Sequence, residues 1–595
     1  MSLPWLDQPV MLHSSRDSGK CSMTPEQCAY KSRYWVFWYE ADHRYALPTT
    51  AFFLAVILVV SIGNLAGLYA PMKVRRNALW LRLLSLCRFL SYKSWRFRSW
   101  NTQSLAVYIL GATGITFFAA MTLGPRPYYW PNTKDLSFGN SPPIATRAGY
   151  LALACMPFLF VLGAKSNPIS TLTGISHEKL NVWHNWVAWA MFVLALIHTF
   201  PFIIFHIWKG DIVKSWNDGG TWVTGVIALL AQAWLTFMSI RWIRDRYYEF
   251  FKATHFVAAA IFFIFFFIHC DFRLTSWDYF IATAVLYSLC WFYSQFRTYL
   301  EHGLNYATLS LETPNSLKIA IKTNTKWMPG QHAYLRFLTS GVHTLTAHPF
   351  TIASVPQHGQ KSDMVFYIRP RGGTTGRLAK IAEKSPGRSI PVLLDGPYGG
   401  VTSRWFLGFD RTLVVVGGAG AGFSLPIIEN FLTSRAKSSE LTVVVASHDP
   451  GFRSWYLQVL NDITDRQSMS EGAKNSHISV LVHETGHHQS NPASSLGGIS
   501  LETGDGKEAV ESTPNSLNES SITIGAIHVQ ILPGRPDIPS IAQETTEKQG
   551  TVGLMVCGPA SMVFDLRKSA TAAQTAIVIG EAGANEVWFY NESFS

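Results

Sequence analysis

Seven long apolar segments fill the first half of the chain, and shorter alternating patterns fill the second half. The apolar segments cover residues 47–70, 104–123, 148–165, 181–207, 221–240, 252–270 and 276–295. Each is close to the ~20 residues that a helix needs to cross the hydrocarbon layer of a bilayer. The apolar runs stop near Gln295. The pattern therefore predicts a seven-helix membrane domain over residues 47–297, preceded by an N-terminal tail over residues 1–46.

The second half shows two successive β-type patterns. Runs in which apolar and polar residues alternate predict an antiparallel β-barrel over residues 303–405. These runs are Ala307–Leu311, Leu317–Ile321, His332–Phe337 and Met364–Ile368. Over residues 411–595, buried-type strands alternate with helical stretches, which predicts an α/β domain. Residues 485–522 interrupt it and are rich in Ser, Gly, Asn, Glu and Thr, so we expect a disordered insertion there.

Composition agrees with a chain that is part membrane-embedded and part soluble. Of the 595 residues, 48% are hydrophobic and only 15% are charged, which is too apolar for a soluble enzyme of this length. The net charge of +11 is not accompanied by any nucleic-acid motif. Much of it lies in a first loop without acidic residues, at Lys73, Arg75, Arg76, Arg82, Arg88, Lys93, Arg96 and Arg98. We therefore expect the lipid bilayer as a partner, and no nucleic acid.

The basic loops also predict orientation, because short loops rich in Lys and Arg stay in the cytoplasm. The first loop and the loop with Arg241, Arg244 and Arg246 then lie inside. Seven spans place the N-terminus outside and the C-terminal domains in the cytoplasm. Cys21 and Cys28 would meet an oxidising environment outside, and the sequence leaves open whether they pair.

Two apolar segments carry histidines at the same spacing. His184 and His198 are fourteen residues apart, and so are His255 and His269. Fourteen residues make nearly four helical turns, so each pair lies on nearly one face, about 40° off register and about 21 Å apart. Both segments run from inside to outside, which gives an inner level, His184 with His255, and an outer level, His198 with His269.

Two facing imidazoles at each level predict two haem irons, each with both axial positions filled by protein. Such an iron passes electrons and does not readily bind a small molecule. The alternative for any single membrane histidine is a hydrogen bond to another side chain. Identical spacing on two helices, matched in depth, argues against that alternative.

A glycine-rich turn marks the start of the last domain. The apolar strand Leu413–Val416 is followed by Gly417-Gly418-Ala419-Gly420-Ala421-Gly422 and then by a helical stretch from Phe423. A strand, a glycine turn and a helix together favour nucleotide binding, because the backbone can approach a pyrophosphate and the helix N-terminus attracts its charge.

The histidine pairs, together with the motif His348-Pro349-Phe350-Thr351, resemble the ferric-chelate reductase and NADPH oxidase superfamily. The stretches Tyr39–Leu47 and Ser176–His184 look most like fungal ferric reductases. The resemblance runs over nearly the whole chain from Tyr30, apart from the insertion. It implies a multi-domain fold: an α-helical transmembrane haem bundle, an antiparallel β-barrel that binds FAD, and an α/β Rossmann-like domain that binds NADPH, as in ferredoxin reductase-like proteins.

The resemblance also implies which residues hold the cofactors FAD, NADPH and two haems of the b type. The FAD site would contain His348, Pro349, Phe350, Thr351, Ile352, Ser354, Arg369, Arg371, Gly373, Thr374, Thr375 and the C-terminal aromatic Phe594. The NADPH site would contain Gly396, Pro397, Tyr398, Gly399, Gly417, Gly418, Gly420, Gly422, Cys557, Gly558 and Pro559. Physically, Arg369 and Arg371 suit the flavin pyrophosphate through charge-assisted hydrogen bonds.

The sequence departs from the family at two positions. Related reductases usually have an Arg after the haem ligand of the fourth segment, and Asn185 stands there. Where an Arg often meets the ribose 2′-phosphate, this chain has Ser447-His448-Asp449. The candidates that could bind that phosphate instead are His448, Arg453 and Arg535, and we expect NADPH to be preferred over NADH.

The activity that the resemblance implies is ferric-chelate reduction. Electrons would pass from cytosolic NADPH through FAD and both haems to an extracellular Fe(III) chelate, with Cu(II) as a further acceptor. No catalytic residue is expected beyond those that position the cofactors. The implied location is the plasma membrane, and the implied functional partner is a separate iron transporter. A superoxide-generating NADPH oxidase shares every motif and stays an alternative, as does a haem-binding membrane sensor or scaffold.

Overall fold

A computed structural model describes residues 21–592, except for 37, 99, 218–219, 272–273, 314, 340–343, 345, 358–360, 402–403, 434–438, 450, 469–476, 486–519 and 582. The chain divides into two compact units. The first comprises Met1–Tyr69 and Tyr108–Phe296, and the second comprises Ala70–Val107 and Arg297–Ser595. Phe594, predicted at the flavin, lies outside the described residues.

Nine helices of ten or more residues are described before residue 300. They are α1 (Pro25–Tyr34), α2 (Leu47–Tyr69), α3 (Ala78–Tyr92), α4 (Leu105–Leu123), α5 (Pro143–Leu162), α6 (His177–Lys209), α7 (Gly220–Met238), α8 (Tyr248–His269) and α9 (Leu274–Phe296). All seven predicted apolar segments are therefore helical. α1 contains Cys28, which forms a disulfide with Cys21, so the two cysteines do pair and residues 25–34 of the predicted N-terminal tail are helical.

Within the described residues, six helices are long and apolar enough to cross a membrane, namely α2, α4, α5, α6, α7 and α8. The predicted seventh span, 276–295, forms α9, which has sufficient length but does not belong to this set. Asp278, Gln295 and several Ser, Tyr and Trp residues lower its hydropathy.

α5 is the central helix of the first unit. It packs against α6 and α9. Of the residues in its most apolar 18-residue stretch, 67% are buried within the protein, compared with 6% in the helix that contains α2. Small residues explain this position, because Ala145, Ala148 and Ala154 allow neighbouring backbones to approach closely. α2, in contrast, directs Leu54, Leu58 and other large apolar side chains outwards, as a lipid-facing helix does.

Besides a two-stranded ribbon of Arg96–Phe97 and Trp100–Asn101, the described residues of the second unit form two larger sheets, as the alternating and buried patterns predict. The first has six antiparallel strands in the order β4-β3-β6-β1-β2-β5. These strands are β1 (Leu304–Thr313), β2 (Ser316–Thr323), β3 (Gln331–Phe337), β4 (His348–Thr351), β5 (Ser362–Ile368) and β6 (Ser389–Gly399). Helix α10 (Gly373–Lys384) follows β5 and helps to close the apolar core of this sheet through Leu378 and Ala382.

The second sheet is the predicted α/β domain, with seven strands in the order β10-β11-β9-β8-β7-β12-β13. The strands are β7 (Arg411–Gly417), β8 (Glu440–Ser447), β9 (His477–Glu484), β10 (Ser520–Ile524), β11 (Ile527–Pro533), β12 (Thr551–Cys557) and β13 (Glu586–Glu592). All pairings are parallel except that of β10. The helices are α11 (Ser424–Thr433), α12 (Phe452–Ser468), α13 (Ile538–Glu547) and α14 (Ala560–Ile579).

The predicted insertion over 485–522 ends earlier than its composition suggests. Residues 486–519 lie outside the described part of the chain. Ser520–Ile524 form β10, which pairs with β11 in antiparallel register. The last residues of the predicted insertion therefore belong to an edge strand, because Ile522 and Ile524 supply the alternating apolar positions that a strand needs.

The predicted basic first loop is not an open loop, since its helix α3 belongs to the second unit. α3 packs against α14 and β13. Tyr92 accepts a hydrogen bond from the backbone N–H of Phe589, and Asn101 donates one to the carbonyl oxygen of Ala560 at 2.8 Å. β13 is the last strand of its sheet, so α3 covers an edge that would otherwise offer unpaired backbone groups.

A partly buried cluster of three charges joins α3 to this edge strand. Arg88 donates to Oε1 of Glu586 at 2.9 Å and to the carbonyl oxygen of Val587 at 3.0 Å. Arg404 donates to both carboxylate oxygens of Glu586, at 2.8 and 2.7 Å. Burial alone would raise the pKa of the Glu586 carboxyl, but the hydrogen bonds and charges of the two arginines outweigh it and lower that pKa to about 2.

Replacing Glu586 by Gln leaves two arginines without their anion in a largely desolvated place. We expect the free energy of unfolding of the second unit to fall by about 3 kcal/mol. Thermal unfolding of the full chain in detergent at neutral pH measures this. Glu544→Gln, at an exposed position of α13, is the matched control and should leave the melting temperature unchanged.

The same carboxyl predicts a pH dependence. Its folded-state pKa lies below the ~4.3 of an unpaired Glu, so its contribution is complete above that value and is lost as the pH falls towards about 2. The melting temperature of the wild-type chain should therefore decline more steeply than that of Glu586→Gln between about pH 4 and about pH 2. Parallel declines would contradict this role of the cluster.

Candidate functional site

Two pairs of imidazoles face each other between α6 and α8. The predicted inner pair, His184 and His255, has ring centroids 6.3 Å apart. The predicted outer pair, His198 and His269, has ring centroids 5.9 Å apart. α6 packs against α5, and α8 packs against α7, so each histidine helix has a supporting helix behind it. The structure thus brings together the four residues that the fourteen-residue spacing predicted.

Backbone carbonyl groups fix the orientation of three of these rings. Nδ1 lies 2.8 Å from a carbonyl oxygen in His184 with Leu159, His198 with Ala145, and His269 with Thr221. Since a carbonyl oxygen can only accept, the proton lies on Nδ1 and the lone pair on Nε2, the tautomer that can bind a metal. Nδ1 of His255 is buried and has no hydrogen-bond partner among the described residues.

Each of these three carbonyl groups lies four residues before a glycine, namely Gly149 in α5, Gly163 directly after α5 and Gly225 in α7. A Cβ atom at Gly149 would lie 2.7 Å from Nδ1 of His198, and one at Gly225 would lie 2.6 Å from Nδ1 of His269. A Cβ atom at Gly163 would lie 3.2 Å from Nδ1 of His184. The absence of a side chain is therefore what allows an imidazole to reach the backbone of the supporting helix.

The spacing of both pairs fits an iron held between two imidazoles. Metal–imidazole bonds of about 2 Å, with each ring centroid roughly 1 Å farther out, place two axial rings roughly 6 to 6.5 Å apart. The observed separations of 6.3 and 5.9 Å are close to this range. The hydrogen bonds to Nδ1 are also of the kind that orient metal-binding histidines. The donor set therefore fits one haem at each pair.

A cavity of about 530 Å³ lies beside the outer pair. His198 and His269 line it together with four arginines, Arg33, Arg44, Arg126 and Arg147. Arg147 is only 2% exposed and donates to the carbonyl oxygens of Thr122 and Pro127. Its third nitrogen, Nη2, is buried without a hydrogen bond of ordinary geometry within the described part of the chain.

In the antiparallel domain, the predicted flavin motifs meet. Nε2 of His348 on β4 lies 3.1 Å from the Thr346 hydroxyl and 3.3 Å from the Thr374 hydroxyl at the start of α10. The Thr375 hydroxyl accepts from the backbone N–H of Arg371 and so orders the turn before α10. These contacts join the His-Pro-Phe-Thr strand to the Gly-Thr-Thr helix start, two segments that are far apart in the sequence.

The other predicted flavin residues divide into buried and exposed groups. Ile352 is 1% exposed and belongs to the core of the sheet, so its side chain supports the site from within. The Ser354 hydroxyl bridges the backbone of Asp363 and Val365. Arg369 is exposed and lines a cleft between the two domains of the second unit.

The glycine turn and the predicted nicotinamide motif are in direct contact. The turn forms a 3₁₀ helix over Gly418–Phe423 between β7 and α11. A Cβ atom at Gly420 would lie 2.3 Å from the carbonyl oxygen of Cys557, so only glycine fits there. Cys557 is fully buried, and burial, with the nearby Glu592 carboxylate, raises the pKa of its thiol well above the ordinary value. It packs under the turn as a neutral thiol.

The predicted motif Gly396-Pro397-Tyr398-Gly399 forms the last four residues of β6, where Tyr398 and Gly399 pair with β3. Nε2 of His302 lies 2.7 Å from the Gly396 carbonyl oxygen, to which Arg297 also donates. The Tyr398 hydroxyl donates to Asp395 at 2.5 Å. This end of β6 is therefore held by side chains as well as by strand pairing, which suits a rigid wall beside a cofactor.

The candidates for the ribose phosphate lie at the carboxyl edge of the parallel sheet. His448 is exposed and lines the interdomain cleft. Arg453, in the first turn of α12, pairs with Glu484 at the end of β9, with 3.4 Å between Nη1 and Oε1. Arg535 is exposed on the loop after β11. All three predicted groups reach the same edge of the sheet, but Arg453 is already paired.

Several residues at these sites were not predicted from the sequence. The supporting glycines, Gly149, Gly163 and Gly225, had a usable signal, because glycine in an apolar helix marks a close approach. Arg147 was also detectable as a charge directly before an apolar segment. Glu484 had no signal, because its neighbours come together only through strand pairing.

Three family models match the chain in consecutive stretches. The ferric reductase like transmembrane component matches residues 148–266, an FAD-binding domain matches 302–402, and the ferric reductase NAD binding domain matches 409–571. The first match covers both histidine pairs except His269. The other two cover the two larger sheets of the second unit except for β13, so that unit combines an FAD-binding domain with an NAD(P)H-binding domain.

The chain is also similar to curated fungal proteins. It is 31% identical to a probable cell surface ferric reductase of Aspergillus oryzae over 60% of this chain and 50% of that protein. It is 30% identical to ferric/cupric reductase transmembrane component 7 of Saccharomyces cerevisiae over 52% of this chain and 49% of that protein. The chain thus spans about half the length of these relatives.

Among solved structures, a ferredoxin NADP⁺ reductase from Neisseria gonorrhoeae with bound FAD and NADP aligns with 48% of this chain and 98% of its own length. The sequence identity is 14% and the TM-score is 0.29, a score too low to carry any further inference.

The glycine contacts give a direct test of the outer pair. In Gly225→Ala the new methyl group would displace His269, so we expect the chain to lose the haem of the outer pair and keep that of the inner pair. Removal of such supporting contacts typically weakens metal binding about 10- to 100-fold. Haem absorbance per chain measures this. Gly114→Ala on α4 is the control, because nothing lies within 4 Å of its Cβ position. Equal haem content in both variants would contradict the assignment.

Proposed function

We propose that this chain, which matches a ferric reductase like transmembrane component, an FAD-binding domain and a ferric reductase NAD binding domain in succession, carries electrons across a membrane from cytosolic NADPH to an extracellular Fe(III) chelate, with Cu(II) as a further acceptor. When bound, FAD would convert a two-electron hydride into single electrons, and two b-type haems would relay them. The observation that carries the proposal is the pair of imidazole layers, each with a separation that suits one iron.

The four histidines would hold their irons at two depths about 21 Å apart along the helices. Each iron would be held by two imidazoles of this chain, His184 with His255 and His198 with His269, and the haems would supply one-electron transfer. The hydrogen bonds from Nδ1 of His184, His198 and His269 keep the rings oriented during this exchange. Gly149 and Gly225 keep the supporting helices close enough for those bonds.

In the second unit, charges and backbone groups would hold the flavin and the dinucleotide. Arg369 and Arg371 would pair with the flavin pyrophosphate near the start of α10. His348 and Thr374 would form one wall of the flavin site. The turn that contains Gly420 would admit the dinucleotide pyrophosphate, close to the neutral thiol of Cys557.

The location that we propose is the plasma membrane, with the N-terminus outside and the reductase domains in the cytoplasm. The disulfide between Cys21 and Cys28 supports an outer N-terminus, because such bonds persist in oxidising compartments. The basic first loop supports a cytoplasmic position for the segment that carries α3. An outer N-terminus and cytoplasmic reductase domains require an odd number of spans. α9 would therefore act as the seventh span, after the six strongly apolar helices.

Three arginines line the cavity beside the outer pair, on the side that we assign to the exterior, and we call them the rim. Their positive charge suits a negatively charged chelate. The rim consists of Arg33, Arg44 and Arg126. Arg44 pairs with Glu40 and is 50% exposed, and the Arg126 guanidinium lies 4.3 Å from the ring centroid of Tyr128. A cleft that is lined by charges of one sign raises the local concentration of oppositely charged substrates. Release of Fe(II) there would supply a separate iron transporter.

The activity is tested with full-length protein in liposomes that are supplied with NADPH and a ferric chelate. We expect ferrous ion to form at an undiminished rate when superoxide dismutase is added. Formation abolished by the dismutase would instead identify a superoxide-producing oxidase. Absence of NADPH oxidation with every acceptor would leave only a haem-binding sensor or scaffold.

Substitution of the outer pair separates the two halves of the reaction. In His198→Ala we expect ferric-chelate reduction to fall to background, while NADPH oxidation by ferricyanide, added on the reductase side, continues. Loss of both activities would show that the substitution damages the whole chain. Retention of both would exclude His198 from the path.

The charge of the rim predicts a dependence on the charge of the acceptor. In Arg44→Gln and Arg126→Gln we expect KM for an anionic ferric chelate to rise about threefold to tenfold, and to become less sensitive to salt. KM for an uncharged chelate should not change. Arg241→Gln, at a 75% exposed position of the predicted cytoplasmic loop, is the control. Equal effects on both chelates would contradict the role of the rim.

A further inference from the structure

An acidic residue, Glu484, stands at the edge of the parallel sheet where the far end of a bound dinucleotide would lie. It ends β9 and is the register partner of Ser447, the last residue of β8. The backbone N–H of Thr485 donates to the Ser447 carbonyl oxygen at 2.9 Å, so the two strand ends stay together beyond the sheet. Glu484 therefore lies beside the segment that starts with Ser447 and His448.

This edge is where a dinucleotide domain distinguishes its two natural ligands. In such sheets, the segment after the second strand contacts the ribose, where an acidic side chain accepts from the 2′-hydroxyl of NADH and an Arg binds the 2′-phosphate of NADPH. β7 and β8 are the first two strands of this domain, and His448 follows β8 directly. Arg453, at the start of α12, is the nearest guanidinium on that segment.

Arg453 is held by Glu484. Their charged atoms are 3.4 Å apart, and the side chains are 48% and 32% exposed, so the pair is accessible to a ligand. Asp449, the other carboxylate of the segment, accepts from the backbone N–H of Gly451 at 3.1 Å and is therefore engaged in its own turn. Glu484 is thus the acidic group that faces the guanidinium.

The two dinucleotides would meet this ion pair differently. A 2′-phosphate carries about two negative charges near neutral pH, so it must compete with Glu484 for Arg453 and is repelled by that carboxylate. A 2′-hydroxyl carries no charge and can donate a hydrogen bond to a carboxylate. The pair therefore weakens the binding of NADPH and leaves that of NADH unaffected or improved.

We propose that Glu484 is a specificity-determining residue that, by pairing with Arg453, allows this chain to oxidise NADH as well as NADPH. The inference rests on the proposed function, because the reaction that it biases is dinucleotide oxidation by the second unit. It adds a counter-charge that the cofactor motifs do not contain.

The experiment compares Glu484→Gln with wild type as full-length protein in detergent, with FAD supplied and ferricyanide as acceptor. We expect the ratio of kcat/KM for NADPH to kcat/KM for NADH to rise about tenfold in the variant, because a charge-assisted contact becomes available to the phosphate. The change should appear in KM for NADPH, with kcat unchanged. Glu440→Gln, at the opposite end of β8, is the matched control and should keep the wild-type ratio.

A second variant tests whether the two residues act together. Arg453→Gln alone should lower the NADPH to NADH ratio. In the double variant with Arg453→Gln, the substitution Glu484→Gln should have a much smaller effect on the ratio than it has alone. An equally large effect in both backgrounds would overturn the mechanism through Arg453.

Calorimetric binding of NADP⁺ and NAD⁺ to the same proteins separates this inference from the proposed function. If the wild type binds either dinucleotide but oxidises neither, the proposed function fails, and the binding ratio still decides the role of Glu484. If Glu484→Gln changes the ratio less than twofold, or if neither dinucleotide binds, the inference is wrong.

Discussion

The membrane half depends on the hydrogen bond between a buried imidazole and the backbone of a neighbouring helix. A polar ring in an apolar helix is costly unless its nitrogen has a partner, and three rings obtain one from carbonyl groups that already belong to a helix. Glycine is needed for this contact at Gly149 of α5 and Gly225 of α7, and Gly163 directly after α5 leaves the tight space beside His184. The same bond sets the tautomer, so a single local constraint gives both the stability and the chemistry of the pairs.

The two imidazole pairs are not equivalent. Both rings of the outer pair are oriented by the backbone, whereas in the inner pair only His184 is, since the buried Nδ1 of His255 has no partner within the described residues. A ring without that contact is less basic and less strictly oriented as a ligand. The inner site would therefore tolerate more movement, and it is the one assigned to the cytoplasmic side, where electrons would enter.

Much of the fold could be predicted because its signals are local. The length of an apolar run, the alternation along β1, β2, β3 and β5 and the strand, turn and helix around Gly417 each lie within a short stretch of sequence. The fourteen-residue spacing worked because a helix converts sequence distance into depth. The pairing of Arg453 with Glu484, the packing of Gly420 under Cys557 and the place of α3 on β13 could not be predicted, because each depends on segments that come together only when the sheet forms. α9 shows a limit of such local signals, because its length suits a span but Asp278 and other polar residues keep it out of the set of strongly apolar helices.

The docked position of α3 has a consequence for how such proteins change over time. A segment between two membrane helices supplies Arg88 to the carboxylate of the edge strand, so the boundary between the two halves does not coincide with any single point along the chain. A nucleotide domain exchanged by recombination near residue 297 would arrive without the helix that covers its outermost strand. The two halves are therefore expected to be inherited together, and a substitution at Glu586 would have to be matched by a substitution at Arg88 in α3.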